Sequence, residues 1–205
     1  MSEDLEHLVA CVRACRICVE TPRGKPLPHE PRPVLQASTQ ARVLIASQAP
    51  GTKVHLSGRP FTDASGDRLR SWLGVTSEEF YDAKKFAIVP MGFCFPGQDA
   101  KGSDLPPRRE CAPAWRSQLM AAMPQIDLVL TIGMYAQEWH MGEKRHGSLS
   151  ETVANWRAAW ASEASPRVLP LPHPSWRNTA WLKRNPWFET DLLPFLKREI
   201  RHRLG

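Results

Sequence analysis

Two short polar segments each follow an apolar run, and both carry side chains that could do chemistry. They are Ser47-Gln-Ala-Pro-Gly51 and His173-Pro-Ser-Trp-Arg-Asn178. A neutral histidine held by a following proline can donate a hydrogen bond to an oxyanion that develops during a reaction; the alternative for His173 is a surface histidine in a proline-rich turn. Asp63 is the nearest carboxylate after the first segment, and it could orient a water or offset a positive charge. The alternative for Asp63 is that it caps a helix beginning near Asp67.

The cysteines form a second group with possible chemistry. Cys15 and Cys18 have the spacing C-x2-C, and Cys94 and Cys111 are separated by sixteen residues. Four thiolates can hold an iron–sulfur cluster, and they also suit a structural zinc ion. Free buried thiols are the third interpretation. The fifth cysteine, Cys11, lies one helical turn before Cys15 and is interpreted as a core residue or a spare thiol.

Alternating strands and helices must position these residues. Nearly continuous apolar runs at 43–47, 86–89, 128–132 and 168–171 predict strands that are buried on both faces. Helices are predicted at 5–19, 67–73, 115–123, 134–141 and 150–161, with a basic helix near the C-terminus. This alternation predicts a three-layer α/β/α fold with a four-stranded parallel sheet, formed by a single domain over residues 1–205.

Parallel sheets bind ligands outside the carboxyl ends of their strands. The site is therefore expected in the loops that follow the four predicted strands. These loops begin at Gln48, Pro90, Gly133 and Pro172.

Composition and length narrow the class of protein. The chain has 205 residues, 42% of them apolar and 23% charged, which is typical of a globular domain and excludes a wholly disordered chain. No run of eighteen apolar residues is present, so no transmembrane helix is expected. The acidic start lacks the basic and then apolar pattern of a secretory signal. We expect a monomeric cytoplasmic protein, in which disulfides are rare.

The formal net charge of +6 has two interpretations: a basic protein without a polyanionic partner, or a protein that binds nucleic acid. The basic residues are unevenly distributed, because many of them lie in the last thirty residues. If this region follows a DNA backbone, the residues that would contact phosphates are Arg177, Lys183, Arg184, Lys197, Arg198, Arg201 and Arg203.

In combination and in this order, the two polar segments resemble the uracil-DNA glycosylase superfamily. The similarity is greatest to the iron–sulfur branches (families 4 and 5), which have a Gly-Glu-Ala-Pro-Gly or Gly-Leu-Ala-Pro-Ala first motif and a His-Pro-Ser second motif. Gly58-Arg-Pro-Phe61 and Ser65-Gly-Asp67 match those branches too, and the resemblance runs from about Cys15 to Asn178. It implies a monofunctional enzyme of base-excision repair that flips uracil out of DNA and hydrolyses its N-glycosidic bond, with uracil-containing and abasic-site DNA as partners.

The resemblance also implies roles for individual residues. His173 would donate to the leaving base, and Asp63 would orient water and stabilise the sugar cation. The four paired cysteines would hold a [4Fe-4S] cluster, with zinc as the less favoured alternative. The implied substrate-binding residues are Gln48, Ala49, Phe61, Ser175 and Asn178.

Several of these positions have an alternative interpretation. Phe61 would stack on the flipped base, or it is an ordinary core phenylalanine. Trp176 and Arg177 would enter the minor groove, whereas Trp176 could instead pack against Trp181 or Trp187. The alternative to phosphate binding by Lys183 and Arg184 is a solvated helix face. The DNA-binding residues that the resemblance implies are thus Trp176, Arg177, Lys183 and Arg184.

The sequence departs from the family pattern where uracil is recognised. The related branches have an asparagine shortly before the third cysteine, but Val89-Pro-Met-Gly-Phe-Cys94 contains none. Gln48 and Ala49 also replace the first-motif carboxylates, and neither side chain can act as a base. Recognition by main-chain groups of residues 90–92 or by the amide of Gln48 is then expected. Two alternatives stay open: a protein that binds uracil or abasic sites without turnover, and a glycosylase for a wider range of deaminated bases.

Overall fold

The computed structural model of the protein describes residues 3–162 and 165–205. The predicted domain 1–205 also includes Met1, Ser2, Glu163 and Ala164, which lie outside the described residues. In the described part of the chain, four parallel strands form one sheet in the order β2-β1-β3-β4, which confirms the four predicted strands. Their bounds are β1 Val43–Ala46, β2 Phe86–Ile88, β3 Leu128–Ile132 and β4 Arg167–Leu171.

The sheet is covered by helices on both faces, and the side chains of β1 show why. Val43 and Ile45 point into one apolar core, while Leu44 and Ala46 point into the other. Successive side chains of a strand face opposite sides, so a strand between two cores must be apolar at every position. The three-layer α/β/α fold predicted from the sequence is therefore confirmed.

The first of these cores is packed mainly by the C-terminal half of the chain, and the second by the N-terminal helix and by the helices around β3. None of the described helices is long and apolar enough to cross a bilayer. The helices are α1 Glu3–Arg13, α2 Ile17–Glu20, α3 Thr52–Ser57, α4 Ala64–Leu73, α5 Ser77–Tyr81, α6 Cys111–Ala121, α7 Met134–Met141, α8 Leu149–Ala154, α9 Trp156–Ala161, α10 Thr179–Arg184 and α11 Leu193–Leu204.

Two predicted helices are divided in the structure. The prediction of one helix over 5–19 is wrong, because α1 ends at Arg13 with a tight turn in which the Cys15 amide donates to the Val12 carbonyl at 3.1 Å. The predicted helix 150–161 is divided at Asn155. The Asn155 side-chain amide donates to the Glu151 carbonyl at 2.9 Å, which is the kind of local bond that competes with helix continuation.

Two of the C-terminal basic side chains are paired with carboxylates of the domain. This corrects the expectation that the whole basic C-terminal region contacts the DNA backbone. Arg201 donates to Glu79 at 2.5 Å, and Arg203 donates to Asp127 at 2.6 Å and to Glu199 at 2.9 Å. These ion pairs attach α11 to the rest of the domain. The guanidinium groups of Arg201 and Arg203 thus have structural partners in place of phosphates.

Candidate active site

The loops that follow β1 and β2 are joined at the carboxyl edge of the sheet. The Met91 amide donates to the Ser47 carbonyl at 2.8 Å, and the Gly92 amide donates to the Gln48 carbonyl at the same distance. These bonds continue the strand pairing beyond the strands themselves. They fix the first polar segment against residues 90–92, as expected for a ligand site at the ends of parallel strands.

Two connected depressions open at this edge. The inner cavity has a volume of about 80 Å³, and apolar side chains, among them Val54, Phe61 and Ile88, form part of its wall. A single water needs roughly 10–15 Å³ by the same kind of measure, so this space accommodates a small ring. The outer cleft is larger, at about 490 Å³, and Trp176 lies on its wall.

The two depressions share a set of lining residues, which we call the neck. A ligand that fills the inner cavity and continues into the outer cleft must pass these side chains. The neck consists of Ala49, Pro50, Asp63, Ser65, Asp104 and His173. It therefore brings together both candidate catalytic residues of the sequence analysis.

His173 follows β4 and is half-buried at the neck. Its carbonyl accepts a hydrogen bond of 2.7 Å from the Asn178 side chain, which closes the loop on itself. Burial lowers the pKa of His173 and outweighs the nearby Asp63 and Asp104 carboxylates, which act to raise it. At neutral pH the imidazole is therefore neutral and has one N–H to donate.

Asp63 is the N-cap of α4, so the structural alternative for this residue is confirmed. Its Oδ1 atom accepts hydrogen bonds from the Gly66 amide at 3.3 Å and the Ser65 hydroxyl at 2.5 Å. Asp63 nevertheless lines the neck at the same time. Asp67, the next carboxylate along the chain, is exposed and pairs with Arg70 at 2.6 Å.

Phe61 is both a core residue and a wall of the inner cavity. It is 7% exposed, and its ring packs edge-on against Phe80 with 6.0 Å between centroids. Its φ of 54° is in the left-handed region, where non-glycine residues are strained. The Tyr81 hydroxyl stabilises this backbone by bonding the carbonyls of Pro60 at 2.9 Å and Phe61 at 3.1 Å.

Gln48 and Ala49 lie at different depths of the site. Ala49 lines both depressions, whereas Gln48 lines the outer cleft. The Gln48 side chain packs against Gly133, where an added Cβ would lie 2.7 Å from the amide nitrogen. The φ of 83° at Gly133 is what favours glycine after β3, since the end of the Gln48 side chain could move aside.

The loop after His173 carries an exposed aromatic ring. Trp176 is 76% exposed. The alternative that it packs against Trp181 or Trp187 is wrong, because a side chain this exposed is not packed. Trp181 and Trp187 instead pack against each other, with 5.8 Å between their ring centroids. The Arg177 guanidinium donates to the Ser103 hydroxyl at 3.2 Å across the outer cleft.

The remaining predicted residues divide between the cleft and its rim. Ser175 and Asn178 line the outer cleft. Lys183 and Arg184 are exposed on α10 and are not among the residues that line it. Arg68 of α4, which the sequence analysis did not identify, holds this loop by donating to the Ser175 carbonyl at 2.9 Å.

Asp104 is a residue of the neck that the sequence analysis missed. It lies in the irregular segment 97–105, where neither apolar periodicity nor a motif marks a functional position. Tyr81 was also missed, since its role depends on a contact twenty residues away along the chain. Both assignments require the folded structure.

The four paired cysteines line one small cavity, which shares no lining residue with the two depressions. The indole N–H of Trp115 donates to the sulfur of Cys15 at 3.3 Å. Burial raises the pKa of Cys94 and of Cys111 to about 12 each, so without a metal these thiols are protonated at neutral pH. Among residues 3–162 and 165–205, no group of three or more histidine, cysteine or acidic side chains is arranged to hold a metal ion. The [4Fe-4S] cluster stays a prediction, supported by the donor set.

Cys11 lies apart from this cavity. It is half-buried on α1, and its sulfur is 3.6 Å from the Nε2 atom of His7. It does not line the four-cysteine cavity, in agreement with its interpretation as a spare thiol.

Comparison with known families gives one match. A family model described as the uracil DNA glycosylase superfamily matches residues 35–197. The matched range contains all four strands of the sheet, His173 and Asp63, and the second cysteine pair. Cys15 and Cys18 precede it.

Proposed function

The chain belongs to the uracil-DNA glycosylase superfamily, and we propose that it removes uracil from DNA by hydrolysing the N-glycosidic bond. The observation that supports this most directly is the neck. It places a hydrogen-bond donor, His173, and a carboxylate, Asp63, between a cavity of ring size and an open cleft. A flipped nucleotide would put its base in the cavity, its sugar at the neck and its backbone in the cleft.

The inner cavity suits an uncharged ring. Its wall combines apolar side chains with polar groups, and Phe61 offers a surface on which a base can stack, worth about 1–3 kcal/mol per base. Ser47 is a buried polar residue of this wall and lies where a base edge would be read. Ser47 takes the place of the asparagine that related branches use, because the Met91 and Gly92 amides already bond the loop after β1 and the Pro90 carbonyl accepts from Arg116.

The two candidate catalytic residues act at opposite ends of the breaking bond. The neutral imidazole of His173 donates to the ring oxygen on which the leaving base gathers negative charge. The sugar gathers positive charge as the bond breaks. The Oδ2 atom of Asp63 is not used in the helix cap and receives no hydrogen bond from the described residues, so it can face the sugar.

The DNA strand is proposed to follow the outer cleft. Trp176 is exposed at its wall and would fill the space that the flipped base leaves in the duplex. Arg177, which lines the cleft, and Lys183 and Arg184, which are exposed on α10, are proposed to contact phosphates. Abasic-site DNA, the product, would bind through the same residues.

The cysteine cavity is proposed to hold a [4Fe-4S] cluster, with zinc as the alternative. Four cysteines line one cavity and are the donor type that such a cluster uses, although their side chains are not arranged as a metal site among the described residues. The Trp115 indole supplies the kind of N–H donor that stabilises a bound thiolate. A bound cluster would join the 15–18 turn to the segments of Cys94 and Cys111. Its role would be to stabilise the fold beside the site.

The decisive experiment is a base-release assay on oligonucleotides that contain uracil, hypoxanthine or xanthine, in single and double strands. We expect free uracil and an abasic product. His173→Ala should slow single-turnover release by about 10²–10³-fold, as loss of one donor to a developing anion does. His7→Ala, at an exposed position on α1, is the control and should leave the rate unchanged.

Each other outcome identifies a different function. Tight binding of uracil-containing DNA without release of base would indicate the non-turnover binding protein. Comparable release of hypoxanthine or xanthine would indicate a glycosylase of broader specificity. Absence of both binding and release would contradict the proposal.

A further inference from the structure

We propose that the site contains a second catalytic carboxylate, Asp104, which orients the attacking water and accepts its proton. The inference rests on the proposed glycosylase activity. Asp104 lines both the inner cavity and the outer cleft, as Asp63 and His173 do. Of the described residues that line either depression, only Asp63 and Asp104 carry a carboxylate.

One oxygen of Asp104 is held and the other is available. Oδ1 accepts a hydrogen bond of 3.1 Å from the side-chain amide of Gln98. Oδ2 lies over Gly51, where an added Cβ would be only 3.2 Å away. No described residue donates to Oδ2, so this oxygen can bind a water beside the turn that follows β1.

Asp63 is less suited to proton transfer. Its Oδ1 atom is occupied by the Ser65 hydroxyl and the Gly66 amide, and protonation would weaken the cap of α4. Asp104 has no such structural duty to a helix and is exposed to the cleft, from which water enters. The two carboxylates can therefore divide the work, with Asp63 opposite the sugar cation and Asp104 beside the water.

The loop that carries Asp104 is ordered by its own hydrogen bonds. The Asp99 carboxylate accepts from the Ser103 amide at 2.9 Å, and the Leu105 amide donates to the Gly97 carbonyl at 2.9 Å. These bonds close the loop on both sides of Asp104. The carboxylate is thereby held over the neck, as a general base must be to act within hydrogen-bond reach of its proton.

The proposed step balances without a further reactant. The C1′–N bond breaks and its electron pair leaves on the base, while the oxygen of water bonds to C1′. Asp104 accepts one proton of that water, and His173 donates a hydrogen bond to the base anion without transferring its proton. The proton held by Asp104 then passes through solvent to the base, so DNA and water give abasic DNA and the free base.

The test compares single-turnover uracil excision by Asp104→Asn, Asp104→Ala and Asp99→Asn. Asp99→Asn removes the same charge from the same loop and keeps a side-chain oxygen that can accept from the Ser103 amide, and Asp99 does not line either depression. We expect Asp104→Asn to be slower by about 10²-fold or more, the usual contribution of a general base, and Asp99→Asn to remain close to wild type. Formate should restore part of the Asp104→Ala rate, because the cleft is open to a small carboxylate.

The possible results separate the inference from the activity on which it rests. Excision by Asp104→Asn at the wild-type rate overturns the role of Asp104 and leaves the glycosylase intact. Equal slowing by Asp99→Asn, or a slow Asp104→Ala that has a lowered Tm and does not respond to formate, would show that only loop structure was lost. A wild-type protein that releases no base would refute the glycosylase activity and the role of Asp104 together.

Discussion

Trp176→Ala should weaken the binding of duplex abasic-site DNA much more than that of single-stranded DNA. A tryptophan side chain buries roughly 150–250 Å², and 76% of Trp176 is exposed in the free protein. Insertion into the duplex could thus cover roughly 110–190 Å², which corresponds to about 3–5 kcal/mol at about 25 cal/mol per Å². Unstacking a base step costs a few kcal/mol, so the net loss should be about 1–3 kcal/mol, or roughly 5- to 160-fold in Kd.

The assay is fluorescence anisotropy with duplex and single-stranded probes at one fixed ionic strength, since phosphate contacts make affinity salt-dependent. Trp139→Ala is the matched control. Trp139 is 41% exposed but lines a different groove, so its loss should leave both affinities unchanged. Equal weakening of both probes by Trp176→Ala would refute the insertion of this ring into duplex DNA.

Three further outcomes are expected. Asp63→Asn should keep the Tm of the wild type, because asparagine caps a helix about as well as aspartate. The same variant should slow single-turnover excision, and a wild-type rate would leave Asp63 with the role of helix cap alone. Purified protein should be brown and contain iron. The Cys94→Ser variant should lose the colour and the iron, and the Cys11→Ser variant should keep both. A colourless protein with stoichiometric zinc would contradict the cluster. Burial, and then Arg116, lower the pKa of His140 to about 3, so the stability present above about pH 6.5 should be lost as the pH falls toward 3, by about 1.4 kcal/mol per pH unit. Urea unfolding at several pH values should show a smaller loss for His140→Gln. If the free energy of unfolding depends on pH as steeply in this variant as in the wild type, His140 is excluded as the cause.

The central layer of the fold was predictable because burial on both faces leaves a simple sequence signal. The strand Leu128–Ile132 and the helix Met134–Met141 have the predicted bounds, since each is a continuous element with a glycine between them. The helix 5–19 was mispredicted because its apolar stripe continues through the turn at Cys15. Periodicity reports which face is buried, and it does not report where the backbone changes direction.

The candidate site was predictable where a residue directly follows a strand. His173 has this relation to β4, and its place at the neck follows from the parallel topology. Asp104 reaches the same place from an irregular loop, by hydrogen bonds such as that from Gln98, which leave no pattern in the sequence. The dual position of Asp63, as a helix cap and as part of the neck, likewise depends on the direction in which α4 leaves the site.

The close approach of Gly66 to Phe61 affects which residues can be used to recognise an active relative from its sequence. A Cβ at residue 66 would lie 1.8 Å from the Phe61 carbonyl oxygen, so any other residue there must displace the left-handed backbone of Phe61. A descendant that had stopped excising bases would still need this glycine to keep its core packed. Retention of the Ser-Gly-Asp segment is therefore a poor marker of activity, whereas exchange of His173, which lines the neck, would record the loss directly.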